Sequence, residues 1–392
     1  MSTPTEVERS AAAVAADGTD PAELAAVVAW RCAPRRRPDA LRRRLRDTDG
    51  PAVGRPAAAL ARLARSDGGL DGAVATVAVG VLRRWAALGV HAALVGDPTY
   101  PRTLAAGWPA VDAPPLLAWR GRPPGAVTPG VAIVGSRRAS AYGTEVATLL
   151  AAAAADAGVR VVSGGAVGVD AAAHAAARAR AGGTTVVLGC GHGVGYPAAH
   201  ARDGGLFARI LAAGGTLVSE LLPEASPHPG VIRGRNRIVA GLADVTVVVE
   251  GGGRSGALLT ATAAADRGRE VLAVPGDVLA AGSAAPLRLL REGARLCTGP
   301  DDVLTLLDLP ERAHRTSGDG GPGAPSDASA VLPDDVLAAL QRAGPRGLPL
   351  EDLGLAHAGP AGPLLARLTR ARLAGVVEDV DGVVRLTRPS DR

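Results

Sequence analysis

Residues 130–137 read Gly-Val-Ala-Ile-Val-Gly-Ser-Arg, four apolar residues that break at once into a glycine, a hydroxyl and a cation. An apolar run of this length with no polar alternation predicts a strand buried on both faces. The pattern recurs along the chain. Residues 160–162 form a second run, followed by Ser163-Gly164-Gly165-Ala166-Val167-Gly168-Val169-Asp170. Further strands are expected at 185–188, 216–218, 245–249 and 271–274, with helices between them. One helix should run from about 142 to 157 and close on Gly158, and another should carry His174. Continuously apolar strands alternating with helices predict an α/β fold with a parallel sheet covered on both faces.

In such a sheet, ligands bind beyond the carboxyl ends of the strands. Four predicted strand ends carry small or polar residues: Gly135-Ser136-Arg137, the 163–170 loop, Glu250-Gly251-Gly252-Gly253-Arg254-Ser255-Gly256, and Pro275-Gly276. The third leads into a helix that carries Thr260. Glycine lets backbone approach an anion, and helix N-termini aim unpaired N–H groups at it. One glycine loop is usually only a turn; four at successive strand ends point to a phosphate-bearing ligand. The chain has no lysine, so the phosphate-loop pattern G-x-x-x-x-G-K-[ST] is excluded, and Gly-Gly-Ala-Val-Gly is not a dinucleotide fingerprint.

The segment Arg233-Gly234-Arg235-Asn236-Arg237-Ile238 puts three arginines within five residues, at the start of a helix expected over 236–242. Cations at a helix start oppose the macrodipole unless an anion is bound there, and the planar guanidinium fork suits phosphate. The competing reading is a solvated charged turn. The chain's single asparagine lies inside this cluster, which favours function.

The charge itself needs care. Of 392 residues, 43 are arginine and 38 acidic, a net charge of +5. There is one Asn, one Gln, one Phe and one Met against 52 Gly and 30 Pro. That bias against AT-rich codons weakens the arginine excess as a sign of nucleic-acid binding. A content of 47% hydrophobic and 21% charged residues fits a chain with a real core. No uncharged apolar run is long enough to predict a membrane span, and Glu6, Glu8 and Arg9 make a poor signal peptide. Cys32, Cys190 and Cys297 are odd in number and far apart, against a disulfide framework or a cysteine metal site. A cytoplasmic protein with no metal or cofactor is expected. Enzyme constellations are poor: Asp170 and His174 share a helix face, but a helix cap and a packed histidine explain them better than acid–base work.

Four zones follow: a helical N-terminal module over 1–95 (SAM or helix-hairpin-helix in type), a sheet domain over 96–310, a flexible linker over 311–330 rich in Gly, Ser, Pro and Asp, and a winged helix over 331–392. The last has helices expected at 333–343, 350–355 and 360–373 and a wing hairpin turning at Asp381-Gly382. Arg367, Arg370 and Arg372 suit duplex DNA. The net charge of −1 over 311–392 and the wing acids Glu378, Asp379 and Asp381 favour a protein contact or an autoinhibitory role instead. The runs 35–37 and 42–44 are all arginine and fit either DNA contact or a solvated face.

Taken together, Tyr100-Pro101 with Leu104, Ile133 to Arg137, Tyr142-Gly143, Ser163-Gly164, Gly168 to Asp170 with His174, Tyr196-Pro197, Ser219-Glu220, Arg235 to Ile238, Ala240-Gly241-Leu242, Glu250 with Ser255-Gly256 and Leu259-Thr260-Ala261, and Pro275-Gly276 resemble the DNA-processing protein A (DprA, or Smf) family. The motifs keep the family's order over about 98–305. The resemblance implies an extended Rossmann-like domain that binds single-stranded DNA, forms homodimers, helps load the recombinase RecA during natural transformation and carries no established catalysis. It implies a DNA pocket from Gly135, Ser136, Arg137, Ser163, Gly164, Gly168, Arg233, Arg235, Asn236, Arg237, Ser255 and Gly256, supported by Asp170, His174, Glu250, Thr260 and Gly276. The chain also departs from the family. Gly165 and Val167 stand where a bulky residue and a cation are common, Ile232-Arg233 replaces Phe-Pro, and His200 replaces Asn. An aromatic platform contributes roughly 1–3 kcal/mol per base, and Ile232 cannot supply one, so more electrostatic, more salt-sensitive binding is expected. Two alternatives stay open. A nucleotide phosphoribohydrolase would need a carboxylate on the helix after 250–256, where no acid occurs before Asp266. A winged-helix regulator would not need the sheet loops.

Overall fold

The computed structural model describes residues 2–33, 56–66, 72–106, 112–124, 129–307, 332–357, 364, 367–368, 371–372, 376–380 and 383–386. The chain divides into two compact units, Met1–Ser317 and Gly318–Arg392.

The first unit is organised by a nine-stranded sheet. Its strands are β1 (His91–Leu94), β2 (Leu116–Gly121), β3 (Gly130–Val134), β4 (Arg160–Ser163), β5 (Thr184–Val187), β6 (Thr216–Ser219), β7 (Val245–Val248), β8 (Glu270–Ala273) and β9 (Arg295–Leu296). Their spatial order is β1-β2-β6-β5-β4-β3-β7-β8-β9. All neighbours from β6 to β9 are parallel, and β2 joins β6, and β1 joins β2, antiparallel. The parallel sheet expected from sequence is thus present from β6 to β9, and β2 and β1 extend it antiparallel at one edge.

The six central strands lie within one residue of their expected bounds at each end. Their apolar runs are continuous because both faces are covered. Along β3, Val131 and Ile133 enter the core formed with the helices Ala141–Asp156 and Val169–Ala177, while Ala132 and Val134 enter the opposite core. That opposite core also takes Leu24, Val27 and Val28 of helix Pro21–Cys32, and Leu82 and Trp85 of helix Gly72–Ala87. The N-terminal helices start on local signals: Thr3 and Asp20 cap Pro4–Ala12 and Pro21–Cys32, each with proline at the first turn. Residues 2–33 and 72–87 thus share one apolar core with the sheet.

The topology fixes where a ligand can sit. From β3 the chain steps outward through β4, β5 and β6, then returns to β7 on the other side of β3. The loops after β3 and β7 diverge at this switch point and leave a crevice beyond the strand ends.

The second unit has helices Asp334–Ala343 and Leu350–Ala356, helical residues at 364, 367–368 and 371–372, and a small antiparallel sheet. Its strands β10 (Leu348–Pro349), β11 (Val377–Val380) and β12 (Val383–Leu386) lie in the order β10-β12-β11. Leu332, Val336, Leu340, Leu353, Leu364, Leu368 and Val384 form its core. The linker over 311–330, the arginine runs at 35–37 and 42–44, Arg370 and the Asp381-Gly382 turn lie outside the described residues. Among the described residues, no helix is long and apolar enough to cross a membrane.

Candidate nucleic-acid interface

A cleft of about 1180 Å³ opens at the switch point. The loop after β3 supplies Gly135, Ser136 and Arg137 to it, and the loop after β7 supplies Gly252, Gly253, Arg254, Ser255 and Gly256. Arg233, Arg235, Asn236, Asp170 and Thr260 also line it. Sequence reasoning missed two cations there. Arg254 lies in the glycine loop after β7, where the loop's glycines rather than its cation carry the sequence signal. Arg288, on helix Ala284–Arg291, had no local signal. Arg137, Arg233, Arg254 and Arg288 are exposed, and the Arg288 Nε donates to Glu292 Oε1 at 2.8 Å, an exposed pair that a phosphate would compete with. Among the lining residues the only carboxylate is the buried Asp170, so the exposed ionic character of the cleft is positive.

The loops are held by close backbone contacts. Gly168 has φ +83°, and a Cβ there would meet the Ser136 carbonyl oxygen at 2.2 Å. The next amide, Val169 N–H, donates to that oxygen at 3.1 Å. Gly168 therefore backs the Ser136-Arg137 turn without lining the cleft. Ser255 caps helix Gly256–Ala265 by accepting from Ala257 N–H. The Asn236 amide donates to the Gly256 carbonyl at 3.0 Å. The single asparagine thus ties the arginine segment to the start of that helix.

The arginine segment itself differs from expectation. Helix Pro229–Gly234 and helix Asn236–Gly241 adjoin through Arg235, whose backbone is also helical. His228 caps the first turn, so the arginines sit inside a helical run and do not begin it. Their fates diverge. Arg233 is exposed, and its Nε donates to the Pro229 carbonyl. Arg235 is buried, and its Nη2 donates to the Gly164 carbonyl at 2.6 Å, with Asp170 Oδ2 4.0 Å away. Burial pushes the Asp170 carboxyl up and the Arg235 guanidinium down, and each charge opposes the other's shift.

Arg237 turns away from the cleft. It forks onto Glu220 through two 2.7 Å hydrogen bonds, and its Nε lies 3.0 Å from Asp112 Oδ1. Burial works against its charge, but the Glu220 and Asp112 carboxylates outweigh that and raise its pKa. It clamps helix Asn236–Gly241 to the end of β6.

Five further expected residues are placed behind the cleft. The Ser163 hydroxyl donates to the Ile133 carbonyl at 2.7 Å, joining β4 to β3. Gly164 lies under Arg235 and lines a recess of about 50 Å³ beside the cleft. Glu250 accepts from the Ser140 N–H and hydroxyl, fastening the end of β7 to the cap of helix Ala141–Asp156. Gly276 packs under Ser283, whose Oγ a Cβ would meet at 2.4 Å. The His174 ring is fully buried, with Nδ1 2.7 Å from Thr184 Oγ1. The Thr184 hydroxyl donates to the Val161 carbonyl, so it accepts from a protonated Nδ1. Burial lowers the pKa of His174 to about 3, with His200 and Arg235 adding to the shift. Asp170 is not a helix cap: its carboxylate accepts from the Gly164 and Ala166 amides and folds the loop back on itself.

This architecture has a counterpart. Residues 91–308, which span the whole sheet, match the family described as DNA recombination-mediator protein A. The chain belongs to that family. Similarity to DprA and Smf proteins runs over about 66% of the chain. The chain is 39% identical over 258 residues to a DNA processing protein DprA of Mycobacterium tuberculosis, a match covering 66% of this chain and 64% of that protein. It is 35% identical over 267 residues to the protein Smf of Escherichia coli, covering 66% of this chain and 68% of that one. The chain thus spans about 64% of the length of its mycobacterial relative. The X-ray structure of DprA from Streptococcus pneumoniae superposes with a TM-score of 0.52 at 31% identity, covering 63% of this chain and 84% of that one. The DprA relationship therefore extends to the strands and loops that shape the cleft.

Proposed function

We propose that this DprA-family chain binds single-stranded DNA in the switch-point cleft, with Arg137, Arg233, Arg254 and Arg288 reaching the phosphates. The observation that carries this reading is the placement of four exposed arginines around one cleft whose sole carboxylate among the described lining residues is buried. Phosphate contacts of this kind hold a strand without reading its sequence. Gly135, Ser136, Ser255 and Gly256 add backbone close to the strand, while Ser163, Gly164, Gly168, Asp170, His174, Glu250, Thr260 and Gly276 keep the loops in shape. Arg235 and Asn236 form the wall, and Arg237 braces it.

The wider role is recombination mediation in the cytoplasm: a homodimer that protects incoming single strands and helps load RecA during natural transformation. The second unit acts as a winged helix that contacts protein. A phosphoribohydrolase is disfavoured because Asp170, the only carboxylate among the described residues that line the cleft, is already engaged by two backbone amides.

The test is an electrophoretic shift with single- and double-stranded oligonucleotides, comparing wild type with R137A and R235A. The expected result is single-strand binding that both substitutions weaken. Equal binding by all three proteins would remove the site assignment.

A further inference from the structure

The cleft holds one benzene-type ring among its described lining residues, that of Tyr196. The rest of the chain makes that position notable. Aromatic residues are 2% of the sequence. Among the described residues, Trp30, Trp85, Trp119, Tyr100 and Phe207 are buried, and the exposed Tyr142 donates its hydroxyl to the Pro275 carbonyl. Tyr196 is only half-buried. It packs against the apolar cluster of Val186, Leu188, Phe207 and Ile210, and it lines both the cleft and the adjacent recess. Arg137, Arg235 and Ile232 line the same two spaces. The imidazole of His228 is engaged differently, with its Nδ1 accepting from the Val231 amide at the helix cap.

The geometry points to Tyr196 as the base-stacking residue of the cleft, with Ile232 as a second apolar contact and Arg137 as the cation for the neighbouring phosphate. The inference rests on the single-strand reading above and adds a base contact to it. A strand whose phosphates meet the arginines must put its bases somewhere. The apolar surface of Tyr196 and Ile232 is lining that a base π-face can cover without leaving a polar group unpaired; the exposed Leu259 also lines the cleft, but of these three only Tyr196 offers a ring to stack on. The chain thus keeps an aromatic contact even though position 232 is aliphatic. The preference it confers is for base-bearing over base-free strands, without selection among bases.

The test uses the full chain with two fluorescent strands of equal length and charge, oligo(dT) and an abasic deoxyribose-phosphate strand, and compares wild type with Y196L and Y196F. Wild type should bind oligo(dT) more tightly than the abasic strand, by roughly five- to a hundredfold. Y196L should lose most of that preference while binding the abasic strand as wild type does, and Y196F, which keeps the ring, should recover it. A preference that Y196L retains in full would overturn the assignment. So would a loss shared equally by both strands, since that marks a phosphate or folding effect. Failure of wild type to bind either strand would instead overturn the single-strand reading, and the stacking role with it.

Discussion

The Arg235 guanidinium rests directly on Gly164: a Cβ there would stand 1.6 Å from Arg235 Nη1, so any side chain requires the guanidinium to move. The Gly164 carbonyl accepts from Nη2, and the Gly164 amide donates to Asp170, so one glycine holds both members of a buried pair. G164A should push the guanidinium out of place and leave Asp170 short of its partner. A loss of roughly 1–3 kcal/mol is expected, as for other disturbed buried polar contacts, read by urea unfolding, together with weaker strand binding. A variant as stable as wild type would show that the arginine can swing aside freely.

Arg237 is the contrasting case. R237A leaves the part-buried Glu220 without the two hydrogen bonds from the guanidinium and should destabilise the fold by about 1.5–3 kcal/mol. Strand affinity per folded molecule should change little, because Arg237 does not line the cleft. Affinity measured well below the unfolding midpoint separates this variant from R137A; a large affinity loss in fully folded R237A would contradict the bracing role.

Acid should weaken the protein through two buried histidines. His174 and His192 are lowered by burial from 6.5 to about 3 and about 4. The unfolded chain therefore takes up protons below pH 6.5 that the folded chain refuses. Stability is full above that value and falls as pH drops toward 4, with a limiting slope of about 1.4 kcal/mol per pH unit for each group. Denaturant unfolding at pH 7, 6 and 5 checks the sign, and H174Q should flatten the curve. Equal stability at pH 7 and 5 would contradict the assignment.

Much of this was legible in the sequence, for physical reasons. The centres of strands β3 to β8 are Val, Ile, Leu, Thr and Ala that a sheet covered on both faces buries, and several of the loops after them carry the glycines that a close backbone approach needs. The misses are equally physical. β1 reads His-Ala-Ala-Leu, with no β-branched residue, and β9 has two residues, so both owe their form to the neighbouring strand. The helical run through the arginines was open to reading, since His228-Pro229 is a cap followed by a first-turn proline. The separate roles of Arg233, Arg235 and Arg237 were not. Their partners lie at Pro229, Gly164 and Glu220, and only the fold brings the last two within reach. Arg288 joins the cleft from a helix far along the chain, where no local pattern marks it.

Salt dependence tests the central claim most directly. If Arg137, Arg233, Arg254 and Arg288 each neutralise one phosphate of a single strand, log K should fall with log salt at a slope near −3, from about 0.7 per contact. The R137A/R254A double variant should halve that slope and weaken binding at low salt. A slope that stays the same when both arginines are removed would place the DNA elsewhere on the protein and contradict the account.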